Sequence, residues 1–375
     1  MLSGSQLSSK DAAANIYNHS MATQQAKIPA KNFKSLIGSI LKFPPSASVS
    51  ASEVIHFAVN NGRARASISG VVVSTATVLG MHEVEAFTAD YRSLRGFAGT
   101  ISDDGSVDVT VSPKDNQVRF VCGKQKLNLP YTLGSVLPKP KVAEPFFTVT
   151  AETAVAIRWL AGIAEKDESK LDMCCVYLTG GRAMAGNQKC IGVARTEGLP
   201  QDSIPLPLNL CSVLESGDKL SKAEGGLILT SGCGVSQVPY LVSSIKFPVA
   251  VVDRMEASAG ATYGKCKARD MVSVFTESAD CVARIPKAQA FLVMTFKDGK
   301  IGVRAQSQTA VFRTVLDGAV KKDGDLWLEL PEAEEALKAF GDGDVSCRKL
   351  SPKGEAALEG SEAKVFFAPV RKDKS

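Results

Sequence analysis

Three sets of markers recur along this chain in the same order and at the same spacing, and they limit its architecture more than any other feature. Glycines in hairpin-turn positions, Gly62, Gly181 and Gly299, are 119 and 118 residues apart. Leucines on the buried face of a later helix, Leu94, Leu214 and Leu337, follow at 120 and 123. Apolar strand endings closed by proline, at Pro130, Pro248 and Pro369, are 118 and 121 apart. A period of that length is a domain with its own core, far longer than a solenoid repeat of roughly 20 to 45 residues.

Each copy reads as helix, hairpin, two strands, helix and three strands. In the first, Phe33, Leu36, Ile37, Ile40 and Leu41 recur at helical spacing until Pro44-Pro45. Strands are expected at 54–59 and 64–68 around Asn61-Gly62, then at 71–79 and 83–87. A second helix is expected over 88–97, followed by strands at 107–111, 117–122 and 126–129. The second copy places helices at 150–165 and 207–215, with strands at 174–178, 182–185, 227–229 and 238–247. The third places a helix at 269–280 and a hairpin around Asp298-Gly299. A proline-opened helix is expected there at Pro331, carrying Ala336, Leu337 and Phe340 inward.

Residues 1–25 are rich in Ser, Ala, Asn and Gln and are expected to form a disordered arm. Three prolines within 137–145 mark a stiff connector. The expected domains are therefore 26–137, 146–255 and 256–371, with a linker at 138–145 and a polar tail at 372–375.

Composition narrows the function classes. No apolar run approaches the ~18 residues of a membrane span, and the N-terminus lacks the basic-then-apolar order of a secretory signal, so a cytosolic chain is expected. Nine cysteines without a Cys-x-x-Cys pair read as reduced core thiols. The three histidines, His19, His56 and His82, lack the spacing of a zinc helix. A formal charge of +5 permits a polyanion partner without demanding one.

Catalytic motifs are missing. Gly180-Gly181-Arg182 and Gly232-Cys233-Gly234 are not followed by Lys-Ser/Thr, so they are turn glycines and not phosphate cradles. No Gly-x-Ser-x-Gly elbow occurs, and Cys174-Cys175 has no nearby histidine as a base. Asp342 and Asp344 lack the further oxygen ligands of a calcium loop. A binding protein without cofactor, metal or enzymatic chemistry is expected.

The repeat and its endings resemble a known family. Lys246-Phe247-Pro248, the segment Gln117 to Pro130, and Phe366-Phe367-Ala368-Pro369-Val370-Arg371 are similar to the domain endings of the bacterial and phage DNA polymerase sliding clamp, the beta subunit of DNA polymerase III. The similarity spans roughly residues 27–371. It implies an α+β chain of three tandem DNA-clamp domains, each two helices on an antiparallel sheet, closing into a ring as a homodimer. The implied function is a processivity factor that encircles double-stranded DNA without sequence preference and tethers the replicative polymerase. The alternative is a non-catalytic three-domain assembly protein that binds protein partners only.

A ring that slides should offer phosphates scattered cations instead of base readout. The cations taken as channel-lining, all placed on helices, are Lys31, Lys34, Lys42, Arg92, Arg95, Arg158, Lys219, Lys222, Lys265, Lys267 and Arg269. Each is equally explained as a solvated helix face. Glu332, Glu334 and Glu335 interrupt this basic character. The resemblance also implies a cleft for polymerase and clamp-loader peptides, walled by Cys190 or Ile191, Pro248, Val252, Phe366, Ala368, Pro369, Val370 and Arg371, with affinity about micromolar. Ala368 and Val370 stand where the family commonly has methionines. Leu127 and Val282 are the positions carried over to the dimer seam.

Overall fold

Each copy of the repeat opens with a strand that runs directly into a helix. The computed structural model describes residues 22–41, 54–68, 72–80, 83–135, 143–223, 226–231, 234–239, 247–258, 260–282, 290–307 and 310–370. Most of the expected N-terminal arm, most of the proline connector, Lys42 and Arg371 lie outside these residues.

The first copy comprises β1 (Gln24–Pro29), α1 (Ala30–Leu41), β2 (Val54–Asn60), β3 (Arg63–Ile68), β4 (Val72–Thr77), β5 (Val84–Asp90), α2 (Tyr91–Thr100), β6 (Ser106–Ser112), β7 (Gln117–Cys122) and β8 (Gln125–Pro130). Its strands form two antiparallel sheets in the orders β1-β6-β7-β8 and β4-β3-β2-β5. The β2–β3 turn has Asn61 and Gly62 in the left-handed region, at φ 50° and 71°, as a two-residue hairpin loop requires. Phe33, Leu36, Ile37 and Ile40 of α1 are fully buried. The Phe33 ring lies 5.8 Å from Phe120, 6.0 Å from Phe97 and 6.4 Å from Phe57, so one aromatic cluster joins both helices to both sheets.

The second copy comprises β9 (Phe147–Thr148), α3 (Ala151–Ile163), β10 (Cys175–Thr179), β11 (Arg182–Gly186), β12 (Cys190–Ala194), β13 (Ile204–Pro207), α4 (Leu208–Cys211), β14 (Lys219–Ala223), β15 (Gly226–Ser231) and β16 (Gly234–Pro239). A separate helix, α5 (Val249–Glu256), follows. The third copy comprises β17 (Ala261–Lys267), α6 (Ala268–Val282), β18 (Phe291–Lys297), β19 (Lys300–Gln306), β20 (Val311–Leu316), β21 (Gly318–Val320), β22 (Gly324–Glu329), α7 (Leu330–Leu337), β23 (Asp344–Lys349), β24 (Ala356–Glu359) and β25 (Ala363–Phe367). The hairpin at Asp298-Gly299 repeats the left-handed geometry at φ 50° and 74°.

Several expectations shift. Gln24 and Gln25, expected in the arm, belong to β1, on which Ala26 and Ile28 are buried. The helix expected at 88–97 starts only at Tyr91, because Thr88 to Asp90 extend β5 and Thr88 N–H donates to Thr132 O at 2.8 Å. Asp90 then caps α2, its carboxylate accepting from Ser93 N at 2.7 Å. The helix expected at 207–215 is a single turn, since Pro205 and Pro207 hold the chain extended up to Leu208. The described cysteines are free, and all of them except Cys281 are buried.

Helix α3 starts with a reciprocal cap. Thr150 Oγ1 accepts from Thr153 N at 3.1 Å, and Thr153 Oγ1 accepts from Thr150 N at 2.8 Å. Thr150→Ala should cost about 1 kcal/mol, read as a lower urea midpoint.

Compactness does not follow the copy boundaries. One unit holds the described residues up to Phe146 together with Gly217–Pro239; the other holds Phe147–Ser216 and the described residues from Phe247 onward. Strands of neighbouring copies lie side by side, which explains this division. In the first unit β16 runs beside β4. In the second, β12 pairs antiparallel with β25, Ile191 opposite Phe366, within a nine-stranded sheet ordered β13-β10-β11-β12-β25-β24-β23-β17-β21.

Candidate functional site

The junction of β12 and β25 is roofed by α5. Val252 and Met255, three residues apart on one helical face, pack with Met184, Ile191, Val193, Phe247, Leu350, Ala357 and Phe366 in one buried cluster. Val252 and Phe366 have no exposed surface. Tyr177, Val249 and Val251 cover the edge of the cluster, and the Tyr177 ring stacks on Phe247 at 5.8 Å and 16°. Pro248 precedes the helix in the N-cap position without a side-chain cap, so tertiary contacts supply what a capping residue would.

Charge supplies the rest. Arg182 Nη1, from β11, lies 2.8 Å from Asp253 Oδ1 and 2.7 Å from Glu256 Oε2. Arg195 Nη2 reaches both Glu256 oxygens, at 2.8 and 2.9 Å. The Arg182 and Glu256 side chains are 14% and 12% exposed, which makes this a largely desolvated pair with its hydrogen bonds satisfied. Burial pushes the Glu256 carboxyl upward, but the hydrogen bonds from Arg195 and Arg182 outweigh it and hold the group below its ordinary value.

This arrangement sorts the residues expected to wall a cleft. Ile191, Val252 and Phe366 meet in the cluster, but as floor and core instead of exposed wall. Pro248 and Ala368 are half-buried, and Pro369 is exposed. Cys190 points the other way, since successive strand residues face opposite sides of a sheet. Its thiol is pushed up to about 12 by burial first and by Glu332 second, which removes any thiolate role at neutral pH. Beside it, Lys189 Nζ pairs with Glu329 at 2.6 Å and Glu332 at 3.1 Å. Val370 lines a separate depression with Tyr263, Trp327 and Lys353. The helix α5 itself was missed in the sequence, where four β-branched and small residues in a row obscured the Val252, Met255 and Glu256 periodicity.

The expected channel cations differ in their settings. Lys31, Arg92 and Arg95 are exposed on α1 and α2 and carry no ion pair among the described residues. Lys34, Lys267 and Arg269 are engaged by Asp103 at 2.6 Å, Asp344 at 2.8 Å and Asp270 at 3.6 Å. Arg158 donates to Leu214 O at 2.7 Å. The placement of Lys219, Lys222, Lys265 and Lys267 on helices is wrong: the first two are on β14 and the others on β17. Lys265 and Lys267 flank buried Cys266 with the strand period of 2, and Lys219 and Lys222 flank the buried Leu220 and Ser221. Lys222 also lies over the Phe146 ring at 5.8 Å.

Neither a family model nor a curated protein matches this sequence. Solved structures do. The DNA polymerase sliding clamp of Caulobacter crescentus superposes with a TM-score of 0.76 at 13% identity, covering 93% of this chain and 100% of the clamp chain. The DNA polymerase III beta subunit of Thermotoga maritima gives 0.75 at 13%, covering 94% and 100%. The chain has the DNA sliding-clamp fold. The Helicobacter pylori beta clamp bound to a DNA ligase peptide matches as well, at TM-score 0.69 and 12% identity over 92% of this chain and 100% of that chain.

Within the sliding-clamp fold the copies correspond strand by strand, apart from β21 of the third. β4, β12 and β20 occupy one position, and β8, β16 and β25 another. The first two of the former adjoin the last two of the latter, β4 beside β16 and β12 against β25. That leaves β8 and β20 as sheet edges without a partner strand among the described residues. Leu127 is partly exposed on β8, and Val311 and Val315 on β20 are 53% and 61% exposed. Val282, expected at a seam, is instead 2% exposed at the end of α6 and belongs to the core.

Proposed function

We propose that the chain is a DNA sliding clamp: a non-catalytic processivity factor whose homodimeric ring of six clamp domains encircles duplex DNA and tethers a replicative polymerase. The observation that carries this reading is the match over the whole length of the clamp chains, with the domain-sized unit present three times. Among the described residues no helix is long and apolar enough to cross a membrane, which accords with a role on DNA in the cytoplasm. Lys31, Arg92 and Arg95 are the cations best suited to long-range phosphate attraction, because no carboxylate among the described residues forms an ion pair with them. Polymerase and clamp-loader peptides dock where Pro248, Val249, Val251 and Pro369 surround the buried Val252–Phe366 floor.

Ring closure follows from the two unpaired edges. Pairing β20 of one copy with β8 of another repeats the β12–β25 arrangement and removes an exposed, largely apolar edge. Sedimentation should give a particle of twice the 39.6 kDa chain mass. Val315→Glu should shift it to monomer without loss of thermal stability per chain, because Val315 is exposed within one chain. A monomeric parent protein, or a V315E dimer as tight as the parent, would contradict this closure.

A further inference from the structure

The sheet ordered β20-β19-β18-β22 in the third copy sets like charges against one another on the face turned away from its core. Arg304 on β19 is directly opposite Arg313 on β20, and Lys300 on β19 is directly opposite Lys297 on β18. Lys300 and Arg304 lie on the same side of β19, about 14 Å apart, while Ile301, Val303 and Ala305 are buried on the other. None of the four cations has an ion pair among the described residues. Like charges directly opposite on an antiparallel pair are destabilising, so each pair is a place where a bound anion lowers the free energy.

Aromatic rings share this face. The row through the arginine pair runs Arg313, Arg304, Val293 and Trp327 across the four strands. Trp327 is thus two strand spacings from Arg304, about 10 Å. Its ring lies 5.3 Å from that of Phe291 at 32°, and both residues are half-buried. The carboxylates on the strands of this face, Asp325 and Glu329, are confined to β22, and Glu329 is engaged by Lys189 at 2.6 Å.

We infer that this face binds single-stranded nucleic acid, its phosphates on the two cation pairs and its bases stacked on Trp327 and Phe291. Paired cations at an interval suit a chain of phosphates, and a ring accepts the flat face of any base, so binding is without sequence preference. A duplex does not fit, because its base faces are already stacked on each other. An acidic polypeptide would satisfy the cations and leave the rings unused. The assignment does not rest on ring closure, since all six residues belong to one copy of the repeat.

The test titrates the full chain with octathymidylate, with an abasic chain of equal length and with octaglutamate, read by tryptophan fluorescence and by the anisotropy of a label on each ligand. The chain has two tryptophans, and Trp159 is only 7% exposed, so quenching reports Trp327. Octathymidylate should quench it, and Trp327→Phe should remove that signal. The abasic chain should bind about tenfold more weakly and without quenching, and octaglutamate should bind more weakly still. Arg304→Gln should weaken octathymidylate binding about tenfold and lower the slope of log K against log salt by about 0.7. It should not lower the melting temperature, because it relieves a like-charge pair. Absence of quenching, equal affinity for octathymidylate and the abasic chain, or an unchanged salt slope in Arg304→Gln would overturn the inference. Octaglutamate binding as tightly as octathymidylate would overturn the assignment to nucleic acid. The signal arises within one chain, so a monomer would still give it, and failure here is read separately from failure of the ring.

Discussion

Phe366→Ala is expected to destabilise the second unit by about 3 to 5 kcal/mol, the range for deleting a fully buried phenyl ring from a core that cannot collapse around the gap. The ring has no exposed surface and sits where two copies of the repeat share a sheet, opposite Ile191 on β12 and beneath Val252 and Met255 of α5. Its loss therefore removes packing from a strand junction and from a helix at once. Urea denaturation should show a lower midpoint, and hydrogen exchange of the α5 amides should speed up more than that of α1, which lies in the other unit. Pro369→Ala, three residues on and exposed, should change stability by less than about 0.5 kcal/mol. If the two variants lost the same stability, Phe366 would not be the floor described above.

Arg182→Ala should cost about 2 to 3 kcal/mol, the scale of a charge-assisted hydrogen bond lost from a largely desolvated carboxylate. Glu256 retains Arg195, which keeps the loss below that of a fully orphaned charge. The pH dependence separates this pairing from mere packing. Glu256 is held below its ordinary value of 4.5 in the folded chain, so its contribution is complete above that value and disappears as pH falls through the lower folded one. The parent protein should thus lose stability relative to Arg182→Ala as pH falls below 4.5, and the two should converge once pH is below the lowered folded value. A difference that does not shrink on acidification below 4.5 would mean that Arg182 acts through its aliphatic stem and not through the ion pair.

The parts of this architecture that could be read from residues are those with strong local signals. Asn61-Gly62 and Asp298-Gly299 force left-handed turns, and the Phe33, Leu36, Ile37, Ile40 stripe can only be a buried helical face. Their phase along the chain revealed the threefold repeat. The leading strands were not legible. β1 alternates only through Ala26 and Ile28 and passes into α1 with no turn, and β9 is two residues long. Helix α5 was hidden by its β-branched composition, and with it went the distinction between cleft wall and cleft floor.

The site suffered for a related reason. Ile191 and Cys190 are neighbours in sequence and sit on opposite faces of β12, so an uncertainty of one residue changes which of them meets Phe366. Val282 is expected at the seam from its place near the end of a helix, yet in the last turn of α6 it is the buried residue, while Asp280 and Cys281 are exposed. Lys219 and Lys265 were assigned to helices because charge spacing alone does not distinguish a 3.6 period from a 2.0 period over five residues.

The central claim, that two copies of this chain close around duplex DNA, is tested most directly by topology. The protein is allowed to thread onto a long linear duplex, both ends are blocked with streptavidin, and retention is measured in salt high enough to screen phosphate contacts. Retention should persist on the end-blocked duplex and vanish within minutes of one internal restriction cut. Equal loss from blocked and open duplexes would show that the chain binds DNA only at its surface, or not at all, and would contradict the ring.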